Sequence, residues 1–391
     1  MASSTFLFCD SIYDERMRWF RDIILASNGT GTSAEPVDIR IFLTGDALFS
    51  LVDARTRPAW NAVSAIPSVQ VIADADELQL QGLYDPVVSG CSHVLISGAD
   101  HGGLFWERLV AALKDEWTGT KSAAFLLCNS PYMSRVPVYM LRFLSGVRSA
   151  GLSPELYTYL DGVHTLHDGQ RPSEFENIGR GVAALADSAA LAGRDAWFAA
   201  CSRCATARGY YQMNPGTGFC EPASCIQGIT IRPLKEILAR FSGDHPIISH
   251  GGGMTVHGKG AGARIPHLAV FITYPPYCTE WAFGGLSLAI AAAMGGIRTT
   301  VVFIEDGVYA LHGTHQVPGN DKIFNIQEMI AVTTDVEGLS YAVHVPSLAE
   351  RGIGISGDLS LVREVTNDEL ARIMFRPGLE GTTPAMRIIF F

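Results

Sequence analysis

No stretch of this 391-residue chain is long and apolar enough to span a bilayer. The longest weakly polar run, Ala282 to Ile297, falls short of a span and holds four glycines, at 284, 285, 295 and 296, so it reads as a buried helix. The first strand-like run, Thr5 to Cys9, lacks a basic segment before it and is too short for a secretory core, so a cytoplasmic protein is expected. Positive charge is also scarce: 29 basic against 39 acidic residues give a net charge of −10, which opposes phosphate neutralisation and argues against a nucleic-acid partner. Eight cysteines are too few for a disulfide scaffold of this length. Their distribution is uneven, however, because four of the eight fall between 201 and 225 and mark that segment for thiol or metal chemistry.

With 48% hydrophobic residues the chain can bury large cores, and its length suggests two to four domains. A degenerate repeat refines this. A short apolar strand, a turn and a tyrosine occur in TFLFCDSIY to Tyr13, AAFLLCNSPY to Tyr132 and AVFITYPPY to Tyr277. A second strand closing on an aspartate follows each, at Asp46, Asp161 and Asp306. A third landmark aligns Gln81-Gly82, Arg208-Gly209 and Arg351-Gly352, and each unit then closes on a further strand, HVLISG, HPIISHG or MRIIFF. Helical stretches at Glu15 to Ser27, Val136 to Ala150 and Thr279 to Met294 lie between the first two strands of each unit, which implies right-handed crossovers and a mostly parallel sheet. The expected fold is α/β, with three tandem small doubly wound domains over 1–108, 121–254 and 266–391, whose ligands gather at the carboxyl ends of the strands. His101 to Thr120 and the glycine-rich Gly251 to Pro266 are read as the linkers. The second holds a near-Walker pattern, Gly253 through Gly258-Lys259, but Gly260 stands where a magnesium-binding hydroxyl belongs, so no phosphate site is assigned.

These landmarks resemble the DsrE/DsrF-like (TusD/TusC) sulfur-relay family. The middle unit is similar to the DsrE/TusD kind through NSPY from Asn129, LDGVH from Leu160 and CSRCATARG from Cys201. The third is similar to the DsrF/TusC kind through YPPYCTEWAFGGL, IEDGVYALHGTHQVP and PSLAERGI. The first keeps only weak landmarks and is left, by elimination, for the DsrH/TusB-like kind. In that family the reactive cysteine lies seven residues before the arginine of the Arg-Gly pair. The resemblance therefore implies Cys201 as the persulfide-bearing thiol; the same column holds His344 in the third unit and Asp74 in the first. It further implies a sulfurtransferase or sulfur carrier without cofactor, working with sulfur-donor and sulfur-acceptor proteins or small sulfane donors. Because the family assembles two sets of three subunits, it also implies a homodimer.

The residues themselves support thiol chemistry. Cys201 ends the apolar strand AWFAA and opens a helical turn whose first amides favour an anion, with Arg203 and Arg208 adding positive charge; the strand end would expose it to a partner. Tyr132, Asp161 and His164 come from neighbouring strand ends, His164 as a proton acceptor. Three other readings stay open. Cys201 can be a buried small hydrophobe. Cys201 and Cys204 can cycle as a redox dithiol, although a thioredoxin-like pattern is missing. Cys201, Cys204, Cys220 and Cys225 can form a tetrahedral zinc site in a non-catalytic scaffold, although zinc ribbons show tighter knuckles and GYYQMNPGTGFCEPASC reads as a mobile loop. Asp161 before glycine also suits a turn and Tyr132 suits packing. His312, His315 and His344 match no ligand spacing and are read as turn or interface residues.

Overall fold

The computed structural model describes residues 3–28, 36–98, 104–191, 193, 196–256, 267–277, 279–320, 322–375 and 387–391. Cys278 and the 257–260 part of the near-Walker pattern lie outside them. The fold is mixed α/β with parallel sheets. In the first segment β1 (Ser3–Phe8), β2 (Asp38–Leu43), β3 (Val69–Asp74) and β4 (Leu95–Ser97) pair in parallel in that order. The middle segment supplies β5 (Ser122–Leu127), β6 (Ser153–Thr158), β7 (Trp197–Cys201), the antiparallel hairpin β8 (Tyr211–Met213) and β9 (Cys220–Pro222), then β10 (Thr230–Arg232) and β11 (Ile247–Ser249). Its sheet runs β10-β7-β6-β5-β11. After β12 (Gly253–Val256), the third segment contributes β13 (His267–Ile272), β14 (Arg298–Phe303), β15 (Leu339–His344), β16 (Arg363–Val365) and β17 (Arg387–Phe390), ordered β16-β15-β14-β13-β17.

The strands are nearly unbroken apolar runs because helices cover both faces. All six residues of β13, HLAVFI, are buried. The crossover helices Asp14–Asn28, Val136–Ser149 and Glu280–Met294 fall where the sequence places them. One face of the first and third segments shares a core with Asp14–Asn28, through Trp19, Phe20, Ile23, Phe271 and Phe390. The middle sheet divides the remaining space. One of its faces packs with Phe105–Glu116 and Val136–Ser149 toward Leu7 and Phe42, and the other packs with Leu234–Phe241 and Glu280–Met294 toward Val270 and Val301.

Four features depart from the sequence reading. The first and third segments do not form separate sheets: β12 pairs antiparallel with both β1 and β17, giving one ten-stranded sheet. Gly253, the first glycine of the near-Walker pattern, is therefore a strand residue. HVLISG is not the counterpart of the closing strands, since β4 pairs with β3 at the outer edge whereas β11 and β17 pair with β5 and β13. The segment read as a linker around His101 to Thr120 carries the helix Phe105–Glu116, whose buried face Phe105, Trp106, Leu109, Val110 and Leu113 makes it part of the core. Finally, the cysteine-rich loop contains the β8–β9 hairpin.

Candidate active site around Cys201

The aligned landmarks have repeated backbone geometry. Gly45, Leu160 and Glu305, each just before its aspartate landmark, have φ of 57°, 49° and 54° and open short 3-10 helices. Leu160 and Glu305 lack the freedom of glycine in this left-handed region, so surrounding packing must hold them there. Gly82, Gly209 and Gly352 have φ of 68°, 80° and 61° at the ends of short helices, which explains the glycine of the third landmark. Asp74, Cys201 and His344 cap the starts of those helices with extended backbone.

Cys201 ends β7 and precedes the helix Ser202–Ala207. Its thiol is held down, to about 7, because the Cys204 thiol donates to its sulfur; the backbone N–H groups of Cys204 and Arg203 and the Arg203 charge add to this against burial. Cys204 is pushed well up, since its proton is engaged by Cys201 and it is buried. Burial corrects the expectation of an exposed thiol: Cys201 is 1% exposed and Cys204 7%. The strand end is covered from the third segment. Tyr159, buried in one core with Cys128, Cys201 and Cys204, donates to the carbonyl of Gly284 at 3.0 Å. Arg203 stacks its guanidinium 5.3 Å from the Phe283 ring and 5.8 Å from Phe324.

Arg208 donates to Asp161 at 2.6 and 2.8 Å and to Glu280 at 2.6 Å, so it bridges the middle segment to the first turn of Glu280–Met294. Arg351 does the same one segment on, donating to Asp306 at 2.7 Å and to Glu15, in the first turn of Asp14–Asn28, at 2.9 Å. At the remaining junction Gln81 replaces the arginine, and the ion pair is reversed in sense: Glu77 accepts from Arg135 at 2.8 Å and Arg142 at 3.0 Å.

The other expected residues divide. His164 bonds through Nδ1 to Tyr210 Oη at 2.9 Å, and its Nε2 is 3.9 Å from Asp161. Neither of these two partners is Cys201, and burial lowers the His164 pKa. Tyr132, at φ 69°, donates to Gln170 Oε1 at 2.7 Å and orders a loop. Cys225 donates to the carbonyl oxygens of Ala223 and Tyr210 at 3.2 and 3.4 Å, while Cys220 is exposed on β9. The four cysteines do not converge: among the described residues no group of three or more His, Cys, Asp or Glu side chains is placed to hold a metal. In the third segment His344 bonds Ser347 at 2.9 Å and Asn367 at 2.7 Å, a buried polar network in place of a thiol pair. Glu280, Phe283, Tyr159 and Tyr210 were not legible as site residues, because three-dimensional packing alone brings them there.

Among the described residues no helix is long and apolar enough to cross a membrane. No curated protein matches the chain. Among solved structures, the YchN protein from E. coli is 24% identical, with 32% of this chain and 99% of that one covered and a TM-score of 0.27. Residues 267–375, in the third segment, match the DsrE/DsrF-like family model.

Proposed function

We propose that the protein is a sulfurtransferase that carries sulfane sulfur as a persulfide on Cys201. The DsrE/DsrF-like family is linked in general to sulfur relay. The observation that carries the reading is the placement of Cys201 at the end of β7 and the start of the Ser202–Ala207 helix, where the Cys204 thiol, the backbone N–H groups of Cys204 and Arg203 and the Arg203 charge favour its thiolate against burial. In the transfer step the Cys201 thiolate attacks the outer sulfur of a donor persulfide, the donor S–S bond breaks, and the donor leaves as a thiolate; no oxidant is consumed. The same step in reverse delivers sulfur to an acceptor thiol. Because Cys201 is buried, loading requires the 202–225 segment to open from the Arg203–Phe283–Phe324 contact.

In this reading the chain is three tandem DsrE-like units, a diverged one over 1–108, a TusD-like one over 121–254 and a TusC-like one over 266–391, whose partners are donor and acceptor proteins or small sulfane donors. Two copies form a homodimer of six units. Light scattering checks this last point, and monomer throughout the micromolar range removes it.

Incubation with a sulfane donor followed by alkylation and mass spectrometry tests the assignment. The expected adduct is one sulfur, about 32 Da, on Cys201, absent in Cys201→Ser and retained in Cys204→Ala. A second reading, a redox dithiol, is favoured by the Cys204-to-Cys201 hydrogen bond itself. It requires instead a loss of about 2 Da on oxidation, with no sulfur addition. No loading of the wild-type chain by several donors supports a non-catalytic scaffold.

A further inference from the structure

The third segment has His344 and Ser347 where the middle one has Cys201 and Cys204, so it holds no thiol pair in that column. Its helix Glu280–Met294 instead reaches the Cys201 strand end through three residues of its first turns. Glu280 accepts from Arg208 at 2.6 Å, the Phe283 ring lies 5.3 Å from the Arg203 guanidinium, and the carbonyl of Gly284 accepts from Tyr159 at 3.0 Å. Residues three and four apart share one face of a helix, so the three ties act together. At Gly284 the approach is close: a Cβ there would overlap the side chain of Leu160. Arg203 and Arg208 stand at the start and the end of Ser202–Ala207, the short helix that Cys201 caps, and both ends of the thiol-bearing element are thus tied to the third segment. Cys201 and Cys204 also share a buried core with Ala282 and Leu286 of Glu280–Met294.

The ties are not equal. The Tyr159 bond is buried, whereas the Glu280 side chain is 61% exposed and Phe324, the second ring beside Arg203, is 55% exposed. Exposed ion pairs are weak and are screened by salt, so the outer ties can release while the two sheets stay folded. The same clasp recurs where Arg351 meets Asp306 and Glu15, but the pair beside it is His344 and Ser347, which carry no sulfur. We infer that the third segment is a regulatory cover for Cys201 and that Glu280, acting through Arg208, is a positioning residue that sets how often the cover opens. The inference rests on the sulfur-carrier reading for the purpose of the thiol, and it gives the segment without a thiol pair its part in that reading: the opening that loading requires is controlled by an exposed ion pair.

Iodoacetamide, which is small and uncharged, reads the opening when alkylation of each cysteine of the full chain is followed by peptide mass spectrometry. At about pH 8, where the thiolate is formed, Glu280→Gln should raise the rate at Cys201 about threefold, the scale of an exposed ion pair. Phe324→Ala, at an exposed position, should raise it by about the same factor through loss of the Arg203 contact. The pH midpoint at Cys201 should stay in place in both variants, because Cys204, Arg203 and the amides that set it move with the thiol. Cys128, buried in the middle segment, should stay as slow as in the parent, which separates opening of the cover from a general loosening. In the unaltered chain, raising sodium chloride from about 0.05 to 0.5 M should also accelerate Cys201, and Glu280→Gln should lose that acceleration. A Cys201 rate unmoved by Glu280→Gln, or a Cys128 rate that rises in step with it, overturns the inference. So does a salt-independent rate in the unaltered chain, a measurement that decides even where a variant fails to fold. Sulfane loading is scored separately: faster alkylation with no loading of any chain leaves the cover standing and removes the carrier reading.

Discussion

Within the Cys-x-x-Cys pair, one proton is shared unequally. Cys204 keeps it and donates it, and Cys201 gains thiolate character in a position that burial alone would make worse. The rate of alkylation by iodoacetamide at Cys201 should therefore rise through about pH 7 and level off above it. In Cys204→Ala that midpoint should move up by about one unit or more, because the largest stabilising contact is gone. An unshifted midpoint would assign the low value to the amides and Arg203 alone. Cys201 is proposed from the family resemblance and its spacing to Arg208. Its burial was not legible, because it depends on a core shared with residues of another segment, such as Ala282 and Leu286. For the same reason Glu280, which completes the Arg208 pairing, gave no signal in sequence.

At the level of turns and helices, the Asp-Gly landmarks have a steric cause. A Cβ at Gly162 would overlap the carbonyl oxygen of Leu127, and one at Gly307 that of Ile272, so each 3-10 turn presses directly on the first strand of its segment. Gly162→Ala should cost about 3 kcal/mol, the upper range for overpacking against backbone that cannot yield, measurable by urea unfolding. A cost below about 0.5 kcal/mol would mean that the turn lifts away freely. The helix Phe105–Glu116, hidden in sequence inside an apparent linker, ends in a buried carboxyl. Thr5 donates to Glu116 at 2.8 Å, yet burial pushes the acid up to about 7. A folded-state value above the ordinary 4.5 means that the folded protein binds the extra proton between about 4.5 and 7. The stability it contributes is present below that window and lost as pH rises through it. Glu116→Gln should remove this slope and be more stable than the parent at pH 8 by about 1–2 kcal/mol, with little difference at pH 4. Thermal unfolding at the two pH values checks the sign.

Over the whole molecule, the three strand-and-helix segments are joined by more than linkers. Strand alternation and crossover helices were readable because apolar runs and their spacing are local signals. The ten-stranded sheet was not, because β12 arises from a glycine-rich stretch with no apolar alternation, and its pairing depends on β1 and β17, far away in sequence. Arg387 on β17 adds a second tie: fully buried, it donates to the carbonyl of Phe241 at the end of Leu234–Phe241 and to those of Gly243 and His245 at 2.8 and 2.9 Å. Gly253 is the critical residue of the junction. It pairs with both Phe6 and Ile388, and a Cβ there would overlap the buried ring of Phe6. Phe6 is itself packed edge-on against Phe20 and Phe375, so its ring has nowhere to retreat. Gly253→Ala should therefore destabilise the chain by about 2 kcal/mol. Its effect should also be spread: amide exchange should accelerate together in β1 and β17, on either side of the bridge, while β5 to β7 of the middle sheet change least. Exchange that accelerates in β1 alone would show that the two halves of the sheet open independently, and that β12 decorates the edge of the first segment without coupling it to the third.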